Sequence, residues 1–179
     1  VPGLVAVLVG DDPASSVYVR SKEKAAAEAG IKGRVIKLPA ATKEGELLKL
    51  IETLNLDETF HGILVQLPLP SEINEDRVIE SISPAKDVDG LHPVNMGLLM
   101  AGRPRFVPAT PYGIQEILMR SGINTDGKHV VVCGRSNIVG KPVANLLMQR
   151  QPGANATVSV CHTRTENLSV LTKQADILI

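Results

Sequence analysis

The stretch Leu4-Val5-Ala6-Val7-Leu8-Val9 decides the fold, because an unbroken apolar run of this length suits a strand that is buried on both faces. Gly10-Asp11-Asp12-Pro13 follows it directly. Asp12 can cap the first turn of a helix, and Pro13 suits the first helical position. A doubly buried strand that leads into a helix is the first half of a βαβ unit in a parallel sheet.

The same alternation of strands and helices continues along the chain. After the first helix, which ends at Gly30, the predicted elements are strand 34–38, helix 43–56, strand 62–67, helix 75–82, helix 96–100, helix 110–120, strand 129–133, helix 139–149, strand 157–161, helix 166–173 and a strand from residue 176. This order predicts an α/β protein of two lobes, an N-terminal parallel βαβ catalytic domain and a Rossmann-like dinucleotide-binding domain.

The domain boundaries are predicted from where this rhythm breaks. We place the first domain at residues 1–109, a bridging helix and linker at 110–125, and the second domain at 126–179. The chain ends inside an apolar run, so we expect the second domain to be truncated at its C-terminal side. A protein of residues 1–179 alone would expose an open apolar sheet edge, so we expect it to aggregate or to have negligible enzymatic activity.

Composition excludes several classes of partner. The formal net charge is zero, which leaves no basic excess for binding a nucleic acid or a membrane surface. No apolar run approaches the ~18 residues of a membrane-spanning helix. Cys133 and Cys161 each end an apolar run and imply no disulfide framework, which favours a reducing, cytoplasmic location. We expect no metal site.

Lys22 is the first candidate for a catalytic residue. Helical spacing places it near the middle of an apolar face made of Ala14, Tyr18, Ala25, Ala26 and Ala29. An amine beside a phenol, near the end of a buried strand, is how a catalytic lysine with a shifted pKa is built. The alternative is a lysine whose stem packs on this face while its ammonium reaches solvent at the helix end.

Further polar residues of the first lobe belong to the same edge, because ligands gather beyond the carboxyl ends of parallel strands. Gln66 is the only polar side chain in its predicted strand, and an ammonium nearby would be a partner for its amide. A Gln66 that caps the loop backbone is the alternative. Asp87 and Asp89 flank Val88 in a tight loop, where an Asp-x-Asp-Gly sequence on its own is usually an Asx turn.

In the second lobe, Gly134-Arg135-Ser136-Asn137-Ile138-Val139-Gly140 joins a strand to a helix whose N-terminus can hold a pyrophosphate. After the next strand, where NAD-binding proteins carry a carboxylate, this chain has His162-Thr163-Arg164-Thr165. We place Glu166 within the following helix. Arginines and hydroxyls suit a ribose phosphate better than a diol, which favours NADP over NAD. Solvated turn residues are the alternative for Arg135 and Arg164.

Four motifs occur together in the chain: Tyr18-Val-Arg-Ser-Lys22, Val65-Gln66-Leu67-Pro68-Leu69-Pro70, Lys86-Asp87-Val88-Asp89-Gly90 and Gly134-Arg-Ser-x-x-Val-Gly140. In this order and spacing they closely resemble the bifunctional methylenetetrahydrofolate dehydrogenase/methenyltetrahydrofolate cyclohydrolase family. The resemblance covers essentially the whole chain. It implies a first domain that binds folate, further segments at both ends, an NADP cofactor, a homodimer and a role in one-carbon metabolism.

The resemblance also implies roles for individual residues. Tyr18 would lie against the p-aminobenzoyl ring, Asp89 would bind the pterin, and Lys22 would shuttle protons with Gln66 beside it. The expected catalytic residues are therefore Lys22, Gln66 and Tyr18, and the expected folate-binding residues are Tyr18, Gln66 and Asp89. The expected cofactor-binding residues are Gly134, Arg135, Ser136, Val139, Gly140, His162, Thr163 and Arg164.

Three other functions are compatible with parts of the sequence. A two-lobed dehydrogenase of the amino-acid or shikimate type would explain the fold, but not the second and third motifs. A folate- or nucleotide-binding relative without activity would keep the pockets, and Lys22 argues against it. A cyclohydrolase that lacks the dehydrogenase activity is not excluded by the sequence.

Overall fold

The computed structural model describes the backbone of residues 1–179 and every side chain except those of Ala14 and Ser16. The chain forms two compact units, residues 1–88 and 89–179. Each unit contains a three-stranded sheet whose strands are all parallel, so the predicted α/β class with parallel sheets is confirmed.

The first unit is built on β1, the strand of the opening apolar run. Its elements are β1 Gly3–Val9, α1 Pro13–Glu28, β2 Lys32–Leu38, α2 Glu44–Leu56, β3 Gly62–Val65 and α3 Glu75–Ser81. The strand order is β2-β1-β3, so β1 is central and its apolar residues are buried on both faces. The helix α2 covers one face with a buried stripe of Leu47, Ile51 and Leu54.

The helix α1 begins as predicted but buries a different face. Asp12 caps it, because its Oδ2 accepts a hydrogen bond of 2.7 Å from the backbone N–H of Ser15. The side chains that α1 turns inward are Ser15, Val19, Lys22 and Ala26, whereas Tyr18, Ala25 and Ala29 are exposed. The predicted face was therefore right for Ala26 and for the place of Lys22, and wrong for Tyr18, Ala25 and Ala29. Its first member, Ala14, has a side chain outside the described set.

The cause of this error is the composition of α1. Alanines occur on several sides of the helix, so helical spacing alone supports more than one apolar stripe. Contact with the sheet decides between them. Val19 is 2% exposed and Ser15 only 3% exposed, although serine is a residue type that is usually found at the surface.

The second unit repeats the arrangement with shorter strands. Its elements are α4 Pro93–Met100, α5 Ala109–Arg120, β4 His129–Cys133, α6 Gly140–Leu147, β5 Thr157–Cys161, α7 Leu168–Lys173 and β6 Ile177–Leu178. The strand order is β5-β4-β6. Its core joins Leu118 of α5, Val130 and Val132 of β4, and Val143 and Leu147 of α6.

Two local expectations in the second unit need correction. The helix α5 begins at Ala109 after Pro108, one residue before the predicted start. The helix α7 begins at Leu168, so Glu166 precedes it. Both differences lie within the uncertainty of helix starts, which depend on cap geometry more than on residue type.

The compact units divide the chain earlier than we predicted. The predicted first domain ended at residue 109, whereas residues 89–109 fall within the second unit. The reason is that α4 packs against α6, and the side-chain amide of Gln149 donates a 2.6 Å hydrogen bond to the carbonyl oxygen of Leu99. The helix α5 also packs on α6. Among the described residues, no helix is long and apolar enough to span a membrane.

Candidate functional site

Lys22 and Gln66 meet at the carboxyl end of the first sheet. The Nζ of Lys22 donates a 3.1 Å hydrogen bond to the Oε1 of Gln66. Gln66 follows the last residue of β3, and its backbone N–H donates a 2.9 Å bond to the carbonyl oxygen of Val7. Pairing with β1 therefore continues one residue past the strand and holds Gln66 in place. The hydrogen bond predicted between the amine and the amide is present.

Both sequence alternatives for Gln66 and Lys22 describe part of the structure. The Nε2 of Gln66 donates a 2.7 Å bond to the carbonyl oxygen of Leu67, so Gln66 caps the loop and binds Lys22 at once. The stem of Lys22 borders a cavity of about 20 Å³ with apolar neighbours that include Val19 and Leu64. An ammonium carries three protons, so this contact leaves others for a ligand.

Tyr18 lies one turn before Lys22 on α1 and is 62% exposed. Its ring is therefore not part of the protein core, contrary to the apolar face that we predicted. An exposed aromatic ring one turn from an amine is available to stack against a flat ligand.

The loop that carries Asp87 and Asp89 is held by backbone contacts. The backbone N–H groups of Lys86 and Asp87 both donate to the carbonyl oxygen of Ser83, at 2.8 and 3.0 Å. Asp87 is 2% exposed and forms a parallel bridge with Ile63 at the start of β3. Asp89 is half-buried and is the first residue of the second unit. The backbone bonds to Ser83 thus shape this loop before Val88.

At the carboxyl end of the second sheet, the strands β4 and β5 open onto a cleft of about 350 Å³. Its lining residues are Cys133, Gly134, Arg135, Cys161, His162, Thr163 and Leu168. Four of the predicted cofactor residues therefore lie together. Cys133, Cys161 and Leu168 were not among our candidates, although β4 and β5 pair Cys133 with Cys161 in register and thereby place both at this edge.

The turn from Gly134 to Gly140, which we call the glycine turn, is closed on itself. The Oγ of Ser136 accepts bonds from the backbone N–H groups of Val139 and Gly140, at 3.2 and 3.3 Å. A Cβ on Gly140 would collide with the carbonyl of Gly134 and would lie 2.8 Å from the backbone nitrogen of Arg135. Glycine is therefore required at residue 140, and the Ser136 hydroxyl holds the backbone that leads into α6.

Local hydrogen bonds also order the segment after β5. The backbone N–H of His162 donates to the Oγ1 of Thr165 at 2.8 Å, and that of Arg164 donates to the Nδ1 of His162 at 3.2 Å. The side chains of Thr163, Arg164 and Arg135 are exposed. Arg135 lines the cleft and Arg164 follows two of its lining residues, so two exposed guanidinium groups are available to an anionic ligand; solvated turn residues stay the alternative.

No cluster of three or more His, Cys, Asp or Glu side chains suited to a metal ion occurs in the described part of the chain. The chemistry available at the two sheet edges is therefore an amine held by an amide in the first unit, and a glycine turn beside exposed arginines in the second.

Comparison with known proteins gives two family matches. Residues 1–89 match the catalytic domain of tetrahydrofolate dehydrogenase/cyclohydrolase, and residues 108–179 match its NAD(P)-binding domain. A bifunctional protein FolD of Dehalococcoides mccartyi is 56% identical over 179 residues, which are 100% of this chain and 60% of that protein.

Solved structures agree with these matches. The bifunctional FolD enzyme of Campylobacter jejuni is 50% identical, with a TM-score of 0.92 over 98% of this chain and 61% of that one. The Trypanosoma brucei methylenetetrahydrofolate dehydrogenase-cyclohydrolase, complexed with NADP and an inhibitor, is 39% identical, with a TM-score of 0.91 over 99% and 60%. The chain thus spans about 60% of the length of its relatives.

Proposed function

Because the chain belongs to the tetrahydrofolate dehydrogenase/cyclohydrolase family, we propose that it oxidises methylenetetrahydrofolate to methenyltetrahydrofolate with NADP and hydrolyses that product to 10-formyltetrahydrofolate. The observation that carries this proposal is the hydrogen bond between Lys22 and Gln66 at the carboxyl end of the first sheet. A protein that only binds folate has no need of an amine held in this way.

Lys22 is the proton shuttle of the hydrolysis. Water adds to the methenyl cation and the ring then opens, so one proton must leave the water and another must reach a ring nitrogen. An amine fixed by Gln66 on one side can accept and return a proton without moving far. Tyr18, exposed one turn earlier, would stack against the p-aminobenzoyl ring.

Asp89 would orient the substrate. The 2-amino group and the ring N–H of a reduced pterin form a fork that matches the two oxygens of a carboxylate. A charge-assisted pair of this kind fixes the plane of the ring as well as its position. Oxidation of the bridging carbon requires positioning more than acid–base help, so Asp89 would serve both reactions.

The second unit would hold the cofactor, which accepts a hydride when bound. The cleft at the carboxyl ends of β4 and β5 would take the dinucleotide, and Gly134, where a Cβ would meet no atom within 4 Å, leaves open space for a pyrophosphate to approach the backbone. Gly134, Ser136, Val139 and Gly140 would contact the phosphates. Arg135, with His162, Thr163 and Arg164, would face the adenosine ribose and favour its 2′-phosphate, hence NADP over NAD.

Two further properties complete the proposal. We expect a homodimer, from family membership, and a cytoplasmic location, from the two free cysteines. The predicted division into a folate-binding domain, a bridging helix with its linker, and a cofactor-binding domain also remains a proposal. The two family matches support two domains, and the second match, from residue 108, includes the predicted bridging helix and linker.

The test is a spectrophotometric assay of the full-length protein. Methylenetetrahydrofolate is supplied with NADP or with NAD, and reduced nicotinamide and the methenyl absorbance are followed separately. We expect cofactor reduction with NADP, and faster decay of added methenyltetrahydrofolate than in buffer. Decay of methenyltetrahydrofolate without reduction of either cofactor would show a cyclohydrolase that lacks the dehydrogenase activity. Reduction of NADP with shikimate in place of folate would assign the chain to the rival class.

A further inference from the structure

Lys86 has a set of contacts that the proposed reaction does not use. Its Nζ donates hydrogen bonds to the carbonyl oxygens of Leu54 and Asp57, at 3.0 and 2.8 Å. These carbonyls lie at the C-terminal end of α2, which has no basic residue in its own last turn. The last carbonyl groups of a helix lack partners within it and are stabilised by a cation. Lys86, which lies outside α2, therefore supplies the positive charge and the hydrogen-bond donors that the last turn of α2 does not contain.

The backbone of Lys86 is held as firmly as its side chain. Its carbonyl oxygen accepts a 2.8 Å bond from the N–H of Ile63, and its N–H donates to Ser83 at 2.8 Å. Asn55 of α2 adds a second attachment: its Nδ2 donates to the carbonyl oxygen of Ser81, and its Oδ1 accepts from the N–H of Ser83, both at 2.8 Å. We call residues 81–88 the anchored segment.

The anchored segment has a defined direction. Asp87 pairs with Ile63 in the parallel sense, so the chain runs beside β3 toward the end where Gln66 lies. Val88 packs closely on Gly62, where even a Cβ would lie 2.5 Å from its Cγ1. Asp89 is covalently next, so the anchors of the segment determine where that residue starts.

We propose that Lys86 is a positioning residue for Asp89, which it serves by locking the anchored segment to the end of α2. The proposal rests on the folate-binding role proposed above for Asp89. Without the lock, only a fraction of molecules present Asp89 correctly, and the apparent affinity for folate falls by that fraction. The chemistry at Lys22 and the cofactor cleft are not affected.

The test is Lys86→Met in the full chain. If the competent fraction falls to about a tenth, the KM for folate rises about tenfold in both reactions. We expect kcat and the KM for NADP to stay unchanged, and Lys86→Arg to restore most of the folate KM. A merely structural role would instead lower the apparent kcat through a loss of folded protein and leave both KM values unchanged.

Arg77→Met is the matched control. Arg77 attaches the other end of α2 through a 2.6 Å contact of its Nη1 with the Oε1 of Glu44, and it has no short chain link to Asp89. It should lower stability without changing the folate KM. An equal rise of that KM in Arg77→Met and Lys86→Met would overturn the proposal.

Asp89→Ala separates this proposal from the function itself. If Asp89→Ala weakens folate binding while Lys86→Met does not, the positioning role is wrong and the folate site stands. If Asp89→Ala leaves folate binding intact, the role of Asp89 is wrong. Should Lys86→Met not fold, Asn55→Asp disturbs the same segment at Ser81 and must show the same selective rise of the folate KM, or the proposal fails.

Discussion

In the first unit, the candidate site depends on two side chains that lie 44 residues apart, Lys22 and Gln66, and on one hydrogen bond between them. In the second unit, the glycine turn depends on backbone, with Gly140 packed on Gly134 and the Ser136 hydroxyl accepting from the N–H groups of Val139 and Gly140. The first edge presents a reactive side chain, the amine of Lys22. The second edge presents a backbone conformation, and a methyl group added at Gly140 would collide with it.

This contrast predicts how each edge fails on mutation. Replacing a reactive side chain should remove one chemical step and leave the scaffold, because Lys22 is only half-buried and the hydrogen bond of its amine goes to Gln66. Replacing a glycine of the turn should disturb folding and binding together. Substitutions at both edges therefore test whether the two edges fail in these different ways.

The largest effect is expected for Lys22→Met. Met keeps most of the stem volume and removes the proton-transfer group, a loss that typically costs about 10²- to 10⁴-fold in rate. We expect hydrolysis of methenyltetrahydrofolate to fall to near the rate in buffer, while folate binding and thermal stability persist. Stopped-flow decay of the methenyl absorbance and a folate titration measure both.

Lys24→Met is the matched control on the same helix. Its side chain is 80% exposed and its ammonium faces Glu28 at 3.8 Å, an exposed pair of a kind that contributes little. It should behave as wild type. Hydrolysis by Lys22→Met at the wild-type rate would remove Lys22 from the mechanism and make the two edges alike.

Gly140→Ala should give the next largest effect. A methyl group there collides with the Gly134 carbonyl, and overpacking of this kind costs about 1–3 kcal/mol of unfolding free energy. We expect NADP binding to weaken together with stability. Calorimetry and a cofactor titration on the same preparation measure the two losses.

Gly134→Ala tests whether the loss of NADP binding comes from a distorted turn or from a lost contact with the cofactor. A Cβ on Gly134 meets no atom within 4 Å, so the fold should tolerate it. If a pyrophosphate approaches the backbone there, NADP binding alone should weaken. Unchanged NADP binding in both variants would contradict a cofactor site at the glycine turn.

Much of the fold was predictable because burial of a strand is visible in its residues. The run 4–9 predicted β1, and the strands 129–133 and 157–161 were predicted with their observed bounds. The inward face of α1 was not predictable, because its alanines fit several stripes and only contact with β1 and β2 selects Ser15 and Val19.

The candidate site divides in the same way. The hydrogen bond between Lys22 and Gln66 followed from strand ends and residue types, since carboxyl ends of parallel strands share an edge. The contacts of Lys86 were not predictable, because its partners are backbone carbonyls of Leu54 and Asp57. Any residue type supplies a carbonyl, so the sequence carries no mark of which ones a distant lysine will bind.

A smaller effect is expected for Arg135→Ala, measured as the ratio of kcat/KM for NADP to that for NAD. A guanidinium on a phosphate contributes about 1.5–3 kcal/mol, or roughly one to two decades of preference. Arg150→Ala is the control, since Arg150 is exposed in the same unit and does not line the cleft. A ratio that Arg135→Ala leaves unchanged would assign Arg135 to solvent.

The smallest effect concerns the helix starts, where the two edges differ in charge. Asp12 caps α1 with a carboxylate, and hydrogen bonds from the backbone and side chain of Ser15 lower the pKa of Asp12 below its usual 3.8. At the start of α6, the neutral hydroxyl of Ser136 accepts from the backbone N–H groups of Val139 and Gly140.

A depressed pKa in the folded state stabilises the protein above the unfolded pKa, and that contribution disappears as the pH falls through the folded value. We therefore expect Asp12→Ala to lower Tm at pH 7 and to lower it less as the pH falls below about 3.8. Asp12→Asn retains an oxygen acceptor without the charge and should lose only the pH-dependent part. Ser136→Ala should lower Tm by the same amount across this range, because no charge is removed. A Tm difference for Asp12→Ala that does not change with pH would show that both helix starts are held by hydrogen-bond geometry alone, and the contrast in charge between the two edges would disappear.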